Sequence, residues 1–223
     1  MPERIPSKAE EDYLKAIHHL GGTERLVSPN EIASRLQVRS PSVTGMLRQL
    51  AEAGWITYEV GRGARLTLEG LREARRVVRR HRLVELFLHR VLGLDWSEVD
   101  AEAERLEHVI SPLLERAIAE YLGEPLEDPH GHPIPTPEGE IAPRTLCPLV
   151  SLQEGERGIV REVRDDDPQR LRQWEKHGLK PGAQVKMVAR HMLDDVFELE
   201  VNDRLVRVGS EGLAGVFAEK VAG

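Results

Sequence analysis

Residues 28–50 read SPNEIASRLQVRSPSVTGMLRQL, and residues 55–68 read WITYEVGRGARLTL. Ser28 is placed to cap a helix, with Pro29 in the first helical position and Glu31 three residues beyond the cap, a capping box ahead of Ile32, Ala33 and Leu36. A second start follows, with Ser40 as cap and Pro41 in the first turn, and Val43, Leu47, Leu50 and Ala51 then recur at helical spacing up to Gly54. Two short helices joined by a tight polar turn make a helix-turn-helix. Trp55-Ile56-Thr57-Tyr58 and Arg65-Leu66-Thr67-Leu68 are β-branched or aromatic strand segments, and Gly61-Arg62-Gly63 between them is a hairpin tip. The order helix, turn, helix, hairpin is that of a winged helix, which lays its second helix in the major groove of double-stranded DNA while the wing reaches the flanking backbone. Arg39, Ser40, Pro41, Ser42, Thr44 and Arg48, with Arg62 at the wing tip, are the expected DNA contacts: small hydroxyls at a helix N-terminus approach phosphates and base edges closely, and arginine neutralises phosphate. A protein-interaction domain, with Ser-Pro-Ser as a mere cap, is the alternative for the same geometry.

Upstream, Ser7 caps a helix with Glu10, Glu11 and Asp12 in its first turn and Tyr13, Leu14, Ile17 and Leu20 on its apolar face. Downstream, the pattern from Leu71 to about Leu92 predicts a long helix, basic at first (Arg72, Arg75, Arg76, Arg79, Arg80, Arg82) and apolar later. His81 and Glu85 share a face with Leu88 and Leu92, so a partly buried Glu85 needs a metal or a cation as partner. After Gly93, Ser97 is expected to cap a helix that continues to about Leu122. Its apolar stripe is Leu106, Val109, Ile110, Leu113 and Leu114, and Asp100, Glu104, Glu107 and His108 lie opposite. By spacing alone that acidic face is either solvated charge or a ligand set. As ligands, its carboxylates and imidazole, without thiolates, suit a divalent first-row ion of intermediate hardness. Asp12 offers one more donor, from the DNA-binding module.

Composition narrows the function classes. The 223 residues, 40% of them hydrophobic, can build one large or two small domains, and a formal charge of -7 excludes coating nucleic acid by net charge, so DNA contact must come from a local basic surface. A single cysteine, Cys147, excludes a disulfide framework and a Cys-based zinc finger and fits a reducing compartment. With no signal peptide or membrane-length apolar run, the expected location is cytoplasmic. Residues 123–148 carry the proline, glycine and acidic content of a linker, with His130 and His132 assigned to a turn. Beyond Leu149, segments 158–163, 183–188, 196–201 and 204–208 alternate with turns and predict a small β-barrel with one helical insertion over Leu171–His177. The fold class is α+β, divided as 1–72, 73–141 and 142–223.

Glu11-Asp12-Tyr13-Leu14-Lys15-Ala16-Ile17, the helix-turn-helix, Arg80-His81-Arg82-Leu83-Val84-Glu85, Glu104-x-x-Glu107-His108-Val109-Ile110-Ser111 and Pro129-His130-Gly131-His132-Pro133-Ile134-Pro135 together resemble the diphtheria toxin repressor and manganese transport regulator family of metal-dependent transcriptional repressors. The resemblance spans the whole chain. It implies a primary regulatory site of Asp12, Glu104, Glu107 and His108, and an ancillary site of His81, Glu85 and Asp100. The iron-responsive branch has methionine and cysteine at the positions of Asp12 and Glu104; oxygen donors there, as in the manganese-responsive branch, favour Mn²⁺ or Fe²⁺ over Zn²⁺ and Cu²⁺. The small manganese regulators carry a glutamate where this chain has Lys15, a cation that cannot ligate and opposes a closely spaced dinuclear site, which points to two separated sites. The C-terminal segment resembles the SH3-like domain shared with ferrous-iron transport accessory proteins. In the family this domain lends ligands to the ancillary site; Asp165, Asp166 and Asp167 stand nearest those positions, and a solvated acidic turn is the alternative.

The sequence therefore points to a homodimeric repressor of metal-uptake genes, activated by Mn²⁺ or, as second choice, Fe²⁺, on a palindromic DNA operator, with no membrane and no small organic substrate. Without metal, its clustered carboxylates are expected to repel one another. Two other classes fit parts of the pattern: a helical di-metal enzyme, and a winged-helix sensor of an organic ligand whose acidic face is merely solvated.

Overall fold

Ser7 and Ser28 both begin helices by full capping boxes: each side chain accepts from the backbone N–H three residues on, and Glu10 or Glu31 reaches back to the cap N–H. These helices are α1 (Lys8–His19) and α2 (Pro29–Leu36) of the computed structural model, which describes residues 4–164, 167–191 and 193–221. In α3 (Ser40–Glu52) the cap is Arg39, without a side-chain hydrogen bond. Ser40, the expected cap, is instead the first helical residue, and its hydroxyl donates to Asn30 Oδ1 at 3.2 Å. The wing follows as β1 (Ile56–Glu59) and β2 (Gly63–Leu66), antiparallel with Ile56 opposite Leu66 and Glu59 opposite Gly63. Leu14, Ile17, Val27, Ile32, Val43, Leu47, Leu50 and Trp55 are buried together as its core.

The second wing strand stops two residues short of the expected Leu68. Thr67 terminates it, its hydroxyl donating to Gly54 O at 2.8 Å and accepting from Gly70 N at 3.1 Å, so that α4 (Leu68–Arg90) starts three residues earlier than predicted. A Cβ at Gly70 would stand 1.8 Å from the carbonyl oxygen of Trp55, and only glycine lets this helix start against the wing.

Two compact units make up the chain. The first holds residues to His81, Leu106–Ser111 and Pro135–Glu140; the second holds Arg82–Arg105, Pro112–Ile134 and the rest from Ile141. The helix expected to run unbroken from Ser97 to Leu122 is two helices, α5 (Val99–Leu106) and α6 (Pro112–Tyr121), separated by a turn at 107–109. Pro112 explains the break: it has no N–H to give and its ring would strike the carbonyl of His108. Glu107 and His108 therefore lie in a turn, and the expectation that they share a helix face with Glu104 is corrected: Glu107 is fully buried while Glu104 is exposed.

In the second unit a six-stranded antiparallel sheet runs in the order β3-β8-β4-β5-β6-β7, with β3 Cys147–Pro148, β4 Arg157–Val163, β5 Gln184–His191, β6 Val196–Val201, β7 Arg204–Gly209 and β8 Val216–Val221. The helices α7 (Pro168–Lys176) and α8 (Ser210–Leu213) complete it. β4, β5, β6 and β7 match the four expected segments; β3 and β8, which the sequence reading left out, pair across the sheet's other side. Leu149, Leu152, Val160, Leu171, Trp174, Met187, Leu199 and Val216 fill its core, and Trp96 joins them.

Residues 123–148 are not a free linker. In the first unit Arg79 donates to Pro135 O and Arg75 to Gly139 O, both at 2.8 Å; in the second, Arg144 donates to Gly131 O at 2.8 Å and Arg82 to Pro133 O. Of the arginines at the basic start of α4, Arg75, Arg79 and Arg82 are thus spent on backbone carbonyls of this segment, while Arg72, Arg76 and Arg80 pair with Glu69, Glu73 and Glu11. Among the described residues no helix is long and apolar enough to cross a membrane.

Candidate metal centre and DNA surface

Three elements of the first unit converge on one point: α1 with Glu11, Asp12 and Lys15, α4 with Arg80 and His81, and the turn after α5 with Glu107 and His108. The apolar face of α1 (Tyr13, Leu14, Ile17) is buried in the winged-helix core, and helical phase turns its acidic edge away towards the turn after α5. His108 Nδ1 lies 2.6 Å from Glu11 Oε2, and Glu11's other oxygen is 2.5 Å from Arg80. A carboxylate on Nδ1 fixes the ring and leaves Nε2 as the outward donor atom, which is how protein-bound metals hold their histidines.

That atom faces donors. His108 Nε2 is 2.8 Å from Asp12 Oδ1 and 3.1 Å from Glu107 Oε1. The 2.8 Å contact lies outside hydrogen-bond geometry, so Asp12 Oδ1 and His108 Nε2 are both buried without a hydrogen-bond partner. Once the imidazole gives up its proton, these two facing atoms fit a shared cation, and Asp12, Glu107 and His108 each present a ligand atom within 4.8 Å of the others. The donor set, two carboxylates and one imidazole, suits a divalent first-row ion.

Charge at the centre is already balanced. Burial acts against the charged imidazole of His108, but the Asp12, Glu107 and Glu11 carboxylates around it outweigh burial and push its pKa up to about 11. Burial likewise disfavours the Glu107 carboxylate, yet the neighbouring imidazoles of His108 and His81 and the charge of Lys15 hold it well below the usual carboxylate range. Lys15 Nζ is 2.5 Å from Glu107 Oε1, with a side chain only 11% exposed. The expected mutual repulsion of bare carboxylates is corrected on this ground: Arg80, Lys15 and a protonated His108 neutralise them.

The other expected ligands are distributed as follows. His81, assigned to the ancillary set, has Nδ1 2.6 Å from Glu107 Oε2, in the same cluster as the primary residues. Glu104 is exposed on α5, in the second unit. Glu85 and Asp100, also in the second unit, offer carboxylate oxygens within 4.8 Å of each other. Glu85 is 2% exposed and 3.4 Å from His130 Nδ1. The turn assigned to His130 and His132 exists, but it is no solvated loop: His130 Nε2 contacts Trp96 O at 2.8 Å, and Asp128, His130 and His132 bring ligand atoms within 4.8 Å of one another. Burial opposes a charged His130, but Glu85 and Asp128 outweigh it and push its pKa up to about 9. Asp167 caps α7 by accepting from Gln169 N, and Asp165 and Asp166 lie outside the described residues. The sequence reading missed Glu11, Asp128 and the inward role of Lys15; the adjacency of Glu11 to Asp12 was the one available signal.

Arg39, Ser40, Pro41, Ser42 and Arg48 are exposed at the start and along one side of α3, Thr44 is half-buried, and Arg62 is exposed at the wing tip, paired with Glu59. Val43, Leu47 and Leu50 are buried on the opposite side of the helix.

Known proteins share this architecture. Residues 7–64 match the iron-dependent repressor N-terminal DNA-binding domain, 67–136 the metal-binding and dimerisation domain of the same repressors, and 147–220 the FeoA domain. The iron-dependent repressor IdeR of Mycobacterium tuberculosis is 33% identical over 216 residues, covering 96% of this chain and 84% of its own. The chain belongs to the iron-dependent repressor family. The repressor is also 35% identical to the regulator MntR of Lysinibacillus sphaericus over 107 residues, 48% of this chain and 76% of that one. A solved manganese-dependent transcriptional repressor in complex with manganese superposes with a TM-score of 0.88 at 33% identity, over 95% of this chain and all of that one. The family consists of DNA-binding transcriptional repressors and not of enzymes, which removes the di-metal oxidase or hydrolase reading. The predicted SH3-like C-terminal domain corresponds to the FeoA match.

Proposed function

We propose that this repressor is switched on by Mn²⁺, with Fe²⁺ as the competing candidate, and acts as a homodimer on a palindromic operator controlling metal uptake. The observation that carries the reading is the buried, mutually facing pair of Asp12 Oδ1 and His108 Nε2 beside Glu107. An ion bound there supplies two positive charges to three donors at once. Asp12 belongs to the first helix of the DNA-binding module, whereas Glu107 and His108 come from the turn after α5, so holding all three fixes α1 against that turn. Glu11 orients the imidazole, and Arg80 orients Glu11. Glu104, three residues before Glu107 in the chain, is the fourth donor that the sequence offers. The all-oxygen-and-nitrogen set favours manganese or iron over softer ions. Val91, Leu92, Leu113, Leu114, Tyr121 and Leu126, exposed in the second unit, are the apolar surface proposed for the dimer.

The ion must favour the DNA-competent arrangement over others, and hundredfold activation corresponds to about 2.7 kcal/mol of coupling. The test is an anaerobic titration with Mn²⁺, Fe²⁺, Co²⁺ and Zn²⁺ of binding to duplexes selected from a random pool. Wild-type binding rises with Mn²⁺ or Fe²⁺, and His108→Ala and Asp12→Ala lose the response; equal metal stimulation in both variants sinks the reading.

A further inference from the structure

Each described glycine except one has its reason inside the protein. Either its φ is positive, as at Gly54, or a Cβ added to it would meet an atom within 4 Å, as at Gly70. Gly45 has neither. It stands in the interior of α3, and a Cβ there would meet nothing within 4 Å. Glycine inside an exposed helix lowers the folding equilibrium constant about fivefold relative to alanine. Nothing in the fold offsets that loss at this position, so the reason lies in what α3 meets.

Residues 7–64, α3 among them, match a DNA-binding domain, and Gly45 is exposed on the side of α3 away from buried Val43, Leu47 and Leu50. Helical phase puts it at the centre of that side, ringed by Pro41, Ser42, Arg48 and Gln49. None of these four side chains fills the gap. Gln49 is held elsewhere: its Nε2 donates at 2.9 Å to Oε1 of Glu10, a residue 2% exposed. The helix keeps its own N–H and C=O groups bonded, so the gap offers shape and no donor or acceptor. In the major groove, the apolar group that projects from a base edge is the C5-methyl of thymine. Resting on α3 as the helix that reads DNA, and not on the choice of metal, we propose that Gly45 is a specificity-determining residue whose missing side chain leaves a methyl-sized hollow that seats a thymine C5-methyl.

The test uses the full chain in excess Mn²⁺ and duplexes that wild type selects from a random pool. Uracil put in place of each thymine in turn deletes one methyl, and wild-type affinity is expected to fall about fourfold at one thymine of each half-site. Gly45→Ala fills the hollow. Its unfolding midpoint rises by about 4 °C, because alanine is the better helix former. Its affinity for the selected duplex falls about tenfold, as for a mismatched base pair, while binding to unrelated duplex, which phosphate contacts carry, stays at the wild-type level. The variant also loses nothing further when the methyl is removed at the thymine that mattered to wild type. Three results overturn the inference: Gly45→Ala binding the selected duplex as wild type does, a lowered midpoint, which gives the glycine a role in the fold, or the same uracil penalty in both proteins. Arg48→Ala separates the two levels of the argument. If it too binds as wild type, α3 is not the reading helix; if it weakens binding while Gly45→Ala does not, only the hollow is wrong.

Discussion

Replacing Glu107 by glutamine removes the one fully buried charge at the candidate metal centre and tests what holds that centre together. Its carboxylate is 2.5 Å from Lys15, 2.6 Å from His81 and 3.1 Å from His108, and its side chain is 0% exposed. Taking one partner out of a buried ion pair costs about 3 to 5 kcal/mol, because the other charge stays in place. The neutral amide escapes the burial penalty that Glu107 carries, which places the expected loss near the lower end, about 3 kcal/mol. For a domain of about a hundred residues this lowers the midpoint of thermal unfolding by more than about 10 °C. The assay is thermal unfolding in chelator, repeated with Mn²⁺ at about a hundred times its dissociation constant, where a single-site ligand adds about 2.7 kcal/mol. Wild type gains that increment and Glu107→Gln gains none. A variant within about 1 kcal/mol of wild type in chelator refutes the energetic argument, since an ordinary point substitution costs about that much. Persistent stabilisation of the variant by Mn²⁺ refutes Glu107 as a ligand.

Three further outcomes follow from named contacts. His108, with its pKa raised to about 11 from an ordinary value near 6.5, binds more protons folded than unfolded between those values; its stabilisation of the metal-free protein is whole below about pH 6.5 and is lost as pH rises through 11. Metal must displace that proton, so Mn²⁺ affinity measured by calorimetry rises up to about tenfold per pH unit between 7 and 9, with proton release seen in buffers of different ionisation enthalpy; a flat profile removes His108 from the site. Gly70→Ala drives a Cβ to 1.8 Å from Trp55 O, which backbone must yield, and chemical denaturation is expected to show a loss of about 1 to 3 kcal/mol; an unchanged midpoint contradicts the packing of α4 on the wing. Arg48→Ala and Arg62→Ala each remove an exposed cation of the reading head, and each should weaken DNA binding with a salt slope shallower by about 0.9; slopes equal to wild type exclude these residues from phosphate contact.

Much of the architecture was legible because its signals are local. Capping boxes at Ser7 and Ser28 act over three residues, the wing is a short hairpin around glycine, and strand alternation marked β4 to β7. The errors have different causes. The helix predicted through Leu122 broke at Pro112, and β3 and β8 were missed because strands separated by about seventy residues pair by contact and not by turn chemistry. The stretch 123–148 has the composition of a linker, yet arginines from α4 and Arg144 pin its carbonyls.

By itself the sequence determined the winged helix and the order of its elements, because caps, periodicity and turn chemistry need no distant partner, whereas Asp12, Glu107 and His108 came together as candidates through the resemblance to the family. Only the tertiary structure decided how those candidates are used. It turned Glu107 and His108 out of a helix and into the protein, put Glu11 behind the imidazole and set Lys15 on the carboxylate. These last contacts join residues 97 and 92 positions apart, and no local pattern reports a charge whose partner arrives only when the chain closes on itself.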